Sequence, residues 1–175
     1  MELDPGDLRE LFFDATERTI PRPTRGQRQY DSGKKKRHTL KTQVVVTRRR
    51  KRPGPGVQPR RVRIAAVSPT FAGKVHDKKV YDATRVVCPP GVKRTGDTGY
   101  VGTPLETPTR RPPKGRLSAR YKAGNRRVSR RRIVAEHGIG KVKVWRIAAE
   151  RFRNPHRRHT LIMKNVAGLH NLMFA

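Results

Sequence analysis

The strongest structural signal in the chain is the segment HTLKTQVVVT, residues 38–47, which is rich in β-branched side chains. Such a run predicts a strand, and one of its faces would carry Leu40, Thr42, Val44 and Val46. Two further apolar runs, LRELFFDATE (residues 8–17) and VRIAAVSP (residues 62–69), precede and follow it. Each is short enough to be a buried strand. Three consecutive strands joined by hairpin-type connections are expected to pair as antiparallel neighbours.

After the third strand the hydrophobic period changes. VHDKKVYDATRVV (residues 75–87) predicts a short helix, and VKRTGDTGY (residues 92–100) predicts a short strand that runs into a turn with glycine. A weak strand is predicted at residues 106–109. A long helical stretch at residues 118–152 and a final helix at residues 157–174 follow. Strands and helices in this order predict a mixed α/β sheet.

Two glycines and a proline interrupt the long helical stretch. Gly138 and Gly140 should each weaken the helix by about 1 kcal/mol relative to alanine. Pro155 should end or interrupt it. Trp145 lies at apolar spacing on the same stretch and is expected in the core.

The charge of the chain points to a polyanionic partner. Its 43 lysines and arginines face only 13 acids, so the formal net charge is +30. Nucleic acid is the expected partner, because each phosphate that a basic residue neutralises releases counterions. No apolar run is long enough to span a bilayer. The acidic start MELDPGDLRELFFD does not resemble a secretory signal, and we expect a cytoplasmic, nucleoid-associated protein.

The single cysteine, Cys88, excludes an internal disulfide and a zinc site built on cysteines. His76, His137 and His170 fit no zinc spacing either, and we expect them to be structural or to contact DNA. SGKKKRH lacks the first glycine of a phosphate-binding loop and leads into a strand, so it does not predict an ATP site.

Because acids are rare here, the few that follow residue 17 can be considered one by one. Asp97 of TGDTGYVGTP ends a predicted strand, and Asp14 ends the first apolar run. Binding sites collect where strand ends meet. Two carboxylates brought together repel each other unless a cation bridges them. Mg²⁺ prefers such oxygen ligands, and two ions about 4 Å apart can clamp the attacking and leaving oxygens of a phosphoryl transfer.

A third carboxylate is available on the long helix. Glu136 lies four residues after Arg132 and seven before Lys143. At 100° per residue the three side chains point within about 40° of one another. Such a stripe could bind a metal at its centre and phosphates at its ends. An ordinary Arg–Glu pair on a solvated helix face explains the same pattern.

Five segments taken together resemble the catalytic domain of bacterial insertion-sequence transposases. These transposases are of the DDE type with a ribonuclease H-like fold, in the branch related to Harbinger-like nucleases. The similarity runs in order from about residue 11 to residue 172. Its segments are DATERTIPRP with YDSGKKKRHTLKTQVVV, VSPTFAGKVHDKK, GDTGYVG, NRRVSRRRIVAEHGIGKVKVWRI and FRNPHRRHTLIMKNVAGLHNL.

The resemblance implies a role for each carboxylate. Asp14, Asp97 and Glu136 match the catalytic and metal-binding triad, and the cofactor implied is Mg²⁺ or Mn²⁺, as two ions. The resemblance prefers Asp97 to Asp77, which we interpret as an acid in the first turn of a helix. Further phosphate-binding or DNA-binding residues are expected at Arg132, Lys143, Lys34, Lys35 and Lys36. The tyrosine that often precedes the arginine by three residues is replaced here by Ser129.

The expected function is metal-dependent cleavage and strand transfer of DNA at insertion-sequence ends, with target DNA as second substrate and a homo-oligomer assembled on DNA. The expected fold has three antiparallel strands, then strands alternating with helices, and helices on both faces of the sheet. We expect a DDE catalytic domain at residues 11–172, an N-terminal remnant at residues 1–10, and a mobile basic loop at residues 48–61. That loop, with the run RRRKRPGPG, is either a DNA-contacting arm or a solvated loop.

The chain departs from the family pattern at its start. Relatives carry a helix-turn-helix region before the first aspartate, and the thirteen residues ahead of Asp14 are too few to form one. Either a helix-turn-helix subunit from an upstream reading frame supplies it, or the chain is an inactive truncated transposase. A non-enzymatic basic nucleic-acid-binding protein is the third alternative, and it would need no convergent carboxylates.

Overall fold

The computed structural model of the protein describes residues 10–48 and 62–173, which form six strands and five helices. Short 3₁₀ turns lie at Thr98–Tyr100 and His156–Arg158. The strands are β1 (Glu10–Thr19), β2 (Asp31–Ser32), β3 (Arg37–Arg48), β4 (Val62–Val67), β5 (Phe71–Ala72) and β6 (Lys93–Thr95). The helices are α1 (Gln27–Tyr30), α2 (Asp77–Thr84), α3 (Ala119–Lys143), α4 (Arg146–Ala149) and α5 (His159–Met173).

The long strand β3 organises a mixed sheet. It pairs antiparallel with β1 on one side, and β2, β4 and β5 also pair with it antiparallel. β6 adds to β1 in parallel. The prediction of three antiparallel strands is therefore confirmed for β1, β3 and β4. The weak strand predicted at residues 106–109 is reduced to a single bridge between Thr95 and Glu106.

Strand β1 is longer than its apolar run. Asp14 does not end it, because β1 continues to Thr19 with an unbroken register against β3. Pairing with a neighbouring strand here outweighs the polar sequence DATERT. The parallel partner β6 is short and contacts only the first three residues of β1, Glu10 to Phe12. Beyond Phe12, β1 has no partner from β6.

The two faces of the sheet are covered by different helices, as expected. Phe12, Val44 and Val46 belong to one buried cluster together with residues of α3 and α5. The alternating residues, among them Phe13 and Val45, belong to a second cluster with Tyr100 and Leu105. Tyr81 of α2 packs against this second cluster, with its ring centre 5.5 Å from that of Phe13.

Helix α3 approaches the sheet most closely at a glycine. A Cβ atom on Gly138 would lie 2.6 Å from a methyl carbon of Val46, so the helix sits directly on β3 at this point. The long helical stretch ends at Lys143, earlier than the sequence pattern suggests, and the chain resumes in the short helix α4. Trp145 between them packs against the first core cluster, as predicted.

The predicted N-terminal remnant and the predicted basic loop lie almost entirely outside the described residues. Residues 1–9, and the predicted basic loop apart from Arg48, lie outside residues 10–48 and 62–173, and Glu10 begins β1. Within the described part of the chain, no helix has the length and apolar character needed to cross a membrane.

Candidate active site

A cleft of about 590 Å³ opens beside β1, next to the part that β6 does not cover. Three elements distant in sequence meet here: the middle of β1, the turn after β6, and α3. They contribute Asp14, Asp97 and Glu136, respectively, so the three predicted acids line one cleft. Five of the 13 acids of the chain line it, the other two being Glu17 and Asp77.

Asp14 is held inside β1 with little of its side chain exposed. It lies opposite Val44 in the sheet, its Oδ1 accepts a hydrogen bond of 2.8 Å from the Ala15 N–H, and its Oδ2 lies 4.0 Å from the Arg132 guanidinium. Burial raises the pKa of Asp14 from 3.8 to about 6, and the charges of Asp97 and Asp77 add to this rise. The Ala15 N–H and Arg132 act in the opposite direction and do not outweigh it.

Asp97 is held by the turn that follows β6. Its Oδ1 accepts a 2.7 Å hydrogen bond from the Gly99 N–H and so caps the 3₁₀ turn Thr98–Tyr100. Gly99 has no room for a side chain, because a Cβ atom there would lie 2.8 Å from Asp97 Oδ1 and 2.7 Å from Asp77 Oδ2. The second glycine of GDTGY is therefore required by two carboxylates that flank it.

Glu136 is exposed on α3 and lines the cleft together with Lys143, which lies about two helical turns further along α3. Burial lowers the pKa of Lys143, and the positive charge of Lys35 lowers it further, while Asp14 raises it. Lys143 therefore lies close enough to Lys35 and Asp14 for their charges to change its pKa. The predicted phosphate contacts Lys34 and Lys35 also line the cleft, but Lys36 does not. Arg132 does not line the cleft, but its guanidinium lies 4.0 Å from Asp14, which does.

Comparison with known proteins gives the family. Residues 13–171 match the family described as DDE superfamily endonuclease. The chain belongs to this family. It is 31% identical over 176 residues to a probable transposase for insertion sequence element IS702 from Microchaete diplosiphon. The similarity covers 98% of this chain and 59% of that relative. No solved structure matches the chain. The resemblance inferred from the sequence motifs is confirmed.

Members of the DDE endonuclease family use divalent metal ions, and the donors in this cleft suit such an ion. Asp14 and Asp97 offer hard oxygen donors, and the charge of Asp97 helps to raise the pKa of Asp14. Within residues 10–48 and 62–173, however, no three His, Cys, Asp or Glu side chains converge closely enough to hold an ion by themselves. The chemistry of these carboxylate donors fits a hydrated divalent cation.

Lys41 and Glu17 are charged residues of the cleft that were not singled out from the sequence. Lys41 of β3 is buried, and its Nζ donates to Asp77 Oδ1 at 2.8 Å and to the Val75 carbonyl at 2.7 Å. It also lies 3.4 Å from Glu17, its cross-strand partner. The available signal was a lysine inside the β-branched run HTLKTQVVVT. Asp77 lies in the first turn of α2, as interpreted, but it also lines the cleft.

The three histidines considered earlier have separate surroundings. His76 is the N-cap of α2, and its Nδ1 accepts from the Lys78 N–H at 3.3 Å. His170 is buried with its Nε2 3.1 Å from the Val62 carbonyl, whereas His137 is exposed. His76 and His170 therefore have structural contacts.

Proposed function

We propose that this chain is the catalytic domain of a DDE transposase, with a ribonuclease H-like arrangement of its sheet. Its activity is metal-dependent cleavage and strand transfer of DNA at insertion-sequence ends. The observation that carries the proposal is the meeting of Asp14, Asp97 and Glu136 in one cleft. A protein with a net charge of +30 has little reason to gather acids unless they serve a cation or a reaction.

Asp14, Asp97 and Glu136 would hold Mg²⁺ or Mn²⁺. When bound, two such ions act as Lewis acids on the attacking and leaving oxygens of a phosphoryl transfer. The chain supplies the fixed positions of these ligands. The Ala15 and Gly99 N–H groups each bind one oxygen, of Asp14 and Asp97 respectively. Without a cation, the raised pKa means that Asp14 holds a proton below about pH 6.

The basic residues around the cleft would position the DNA backbone. Lys34 and Lys35 line it on one side, and Lys143 lines it from α3. Contacts of this kind set the register of a duplex without reading its sequence. Arg132, next to Asp14, would hold the phosphate that reacts. Through these contacts the chain would present a phosphodiester to Asp14 and Asp97.

The domain assignment follows from the same proposal. We assign residues 11–172 to the catalytic domain. A separate helix-turn-helix subunit for recognition of the terminal repeats, and a homo-oligomer on DNA, remain part of the proposal. The relative from Microchaete diplosiphon is longer, because the matched region is 59% of its length.

A nicking assay on supercoiled DNA tests the proposed activity. Wild type with Mg²⁺ or Mn²⁺ should convert the plasmid to its open form, and chelation with EDTA should stop the reaction. Asp97→Asn, which keeps an oxygen for the Gly99 N–H, should reduce the rate at least about a hundredfold, since it removes one charge from the cation site.

The matched control is Asp82→Asn. Asp82 is an exposed acid on α2 that pairs with Lys78 at 2.7 Å, and it does not line the cleft. This variant should cleave like wild type. Equal cleavage by wild type and Asp97→Asn would refute the assignment. DNA binding without cleavage by either would favour the non-enzymatic or inactive alternatives.

A further inference from the structure

A buried lysine holds a fourth carboxylate at the wall of the cleft. Lys41 Nζ has three oxygen partners, and they belong to Asp77, Glu17 and the Val75 carbonyl. One positive charge therefore faces two negative ones, and the group keeps a net charge of about −1. Thr39 donates to the other oxygen of Glu17 at 3.1 Å, which fixes that carboxylate as well.

The second oxygen of Asp77 lies near Asp97, on the same side of Gly99. Its Oδ1 is bound to Lys41, whereas its Oδ2 and Asp97 Oδ1 both lie within 2.8 Å of the position that a Cβ atom on Gly99 would take. Glycine at position 99 therefore lets both oxygens lie close to the backbone of this turn. The charge of Asp77 also reaches Asp14, since it contributes to the raised pKa of that residue.

A buried hydroxyl near these acids also lacks a hydrogen-bond partner within the described part of the chain. Tyr100 is completely buried, and among the described residues its hydroxyl has no hydrogen-bond partner. The charges of Asp77, Asp14 and Asp97 all act on this hydroxyl, so it lies near all three. A buried unpaired hydroxyl is costly unless water or an ion with its water completes it.

We propose that Asp77 is a fourth carboxylate of the cation site. It strengthens the binding of a divalent cation at Asp14 and Asp97 through its charge and through bound water, without direct ligation. Mg²⁺ and Mn²⁺ in such sites keep several waters, which carboxylates outside the inner ligand set can accept. Lys41 holds Asp77 in position for this role. The inference rests on the proposed function, because it assumes a cation in the cleft.

The test measures Mn²⁺ binding by the protein without DNA, through the loss of the free-Mn²⁺ resonance in electron paramagnetic resonance. Asp77→Asn keeps the size and the hydrogen-bonding oxygen of Asp77 but removes its charge. It should weaken Mn²⁺ binding by about threefold to tenfold. Asp82→Asn removes the same charge from the same helix outside the cleft and should bind like wild type.

Two further readouts separate this role from a structural one. The melting temperature in EDTA should be nearly the same for wild type and Asp77→Asn, whereas the rise on adding Mn²⁺ should be smaller in the variant. In the nicking assay, more metal should be needed for half-maximal rate, with the rate at saturating metal largely restored. Asp77→Glu, which keeps the charge, should bind Mn²⁺ more tightly than Asp77→Asn.

Equal Mn²⁺ affinity in wild type and Asp77→Asn would overturn the inference, and Asp97→Asn measured alongside shows which proposal has failed. If Asp97→Asn loses Mn²⁺ and Asp77→Asn does not, only the role of Asp77 is wrong. If wild type itself binds no Mn²⁺, the proposed cation site and the role of Asp77 are wrong together. If Asp77→Asn proves to be unfolded in EDTA, Asp77→Glu and Asp77→Ser are compared instead. Equal Mn²⁺ affinity of these two variants would then overturn the inference.

Discussion

Asp14 shows how one side chain can be costly to the fold and useful to the site. It is inside β1 with a side chain only 18% exposed, and within residues 10–48 and 62–173 no basic side chain forms an ion pair with it closer than Arg132 at 4.0 Å. Its charged form is therefore disfavoured in the folded state relative to the unfolded chain. A residue selected for stability alone would not be ionisable at this position. The cost is consistent with a site that binds a cation.

Asp14→Asn is expected to stabilise the protein in EDTA at pH 8 but not at pH 4. Between the unfolded pKa of 3.8 and the folded value of about 6, the folded state binds more protons than the unfolded state. Stability is therefore lost as the pH rises through this window and stays low above it. Removing the charge should recover up to about 3 kcal/mol at pH 8.

Urea denaturation at both pH values measures this difference. Asp82→Asn serves as control and should change the free energy of unfolding little at either pH, since Asp82 is half exposed. Adding Mn²⁺ at pH 8 should stabilise wild type more than Asp14→Asn. An effect of Asp14→Asn that is the same at pH 4 and pH 8 would contradict the explanation by burial.

At the scale of the element, helix α3 is placed by a contact rather than by its own helical propensity. Its first buried residue is Val128, so the turns before it project from the core. Arg131 ties the helix to the sheet through Glu10 and through Glu106, the latter at 2.8 Å. Gly138 then lets the helix rest on Val46 of β3. This contact brings the neighbouring turns, with Glu136 and Lys143, to the cleft.

Gly138→Ala and Gly140→Ala should have opposite effects on stability, although both lie in the same helix. Alanine at position 140 meets no atom within 4 Å and should stabilise the helix by up to about 1 kcal/mol. Alanine at position 138 would lie 2.6 Å and 2.9 Å from the two methyl groups of the buried Val46. Overpacking of this kind costs about 1–3 kcal/mol, which exceeds the gain in propensity.

Urea denaturation of the two variants gives the free energies of unfolding directly. Because Gly140 lines the cleft, stability rather than activity is the suitable measure. If both variants were stabilised equally, the close packing of α3 on β3 would be wrong.

At the scale of the whole molecule, opposite charges are sorted into different places. The excess of 43 basic residues over 13 acids gives the surface a strong positive field. Five acids are gathered in the cleft, and others form ion pairs such as Arg131 with Glu106 and Arg146 with Glu150. A polyanion would be attracted by this field and would meet a local concentration of negative charge at the cleft. A cation bound there would remove that local repulsion.

Lys34→Ala combined with Lys35→Ala should weaken duplex DNA binding and reduce its dependence on salt. Each phosphate that is no longer neutralised lowers the slope of log K against log salt by about 0.9, so the double substitution should lower it by up to about 1.8. Fluorescence anisotropy between 50 and 200 mM salt, in EDTA, measures the slope.

The control for this experiment removes two exposed lysines outside the cleft, Lys93 on β6 and Lys164 on α5. It carries the same change in net charge and should lower the slope less. Equal slopes for the two double variants would mean that DNA does not follow the cleft.

Several features of the fold and the site could be predicted from local pattern. The β-branched run at residues 38–47 marks β3, and the apolar runs on either side mark β1 and β4. Their alternation also assigns residues to the two faces of the sheet, because side chains in a strand alternate with a period of two. The motifs around Asp14, Asp97 and Glu136 pointed to the family, which is confirmed, although the catalytic roles of these residues stay predictions.

Features that depend on distant contacts could not be predicted in this way. The extension of β1 beyond Asp14, the fit of Gly138 on Val46, and the raised pKa of Asp14 each require the neighbouring element in place. The pairing of Lys41 with Asp77 joins residues 36 positions apart and leaves no local trace. Apolar periodicity and turn-forming residues act over a few positions, so the sequence alone indicates the main strands and helices and their buried faces. Burial and charge act through space, so only the tertiary structure decides which acids share a cleft and which of them a lysine holds.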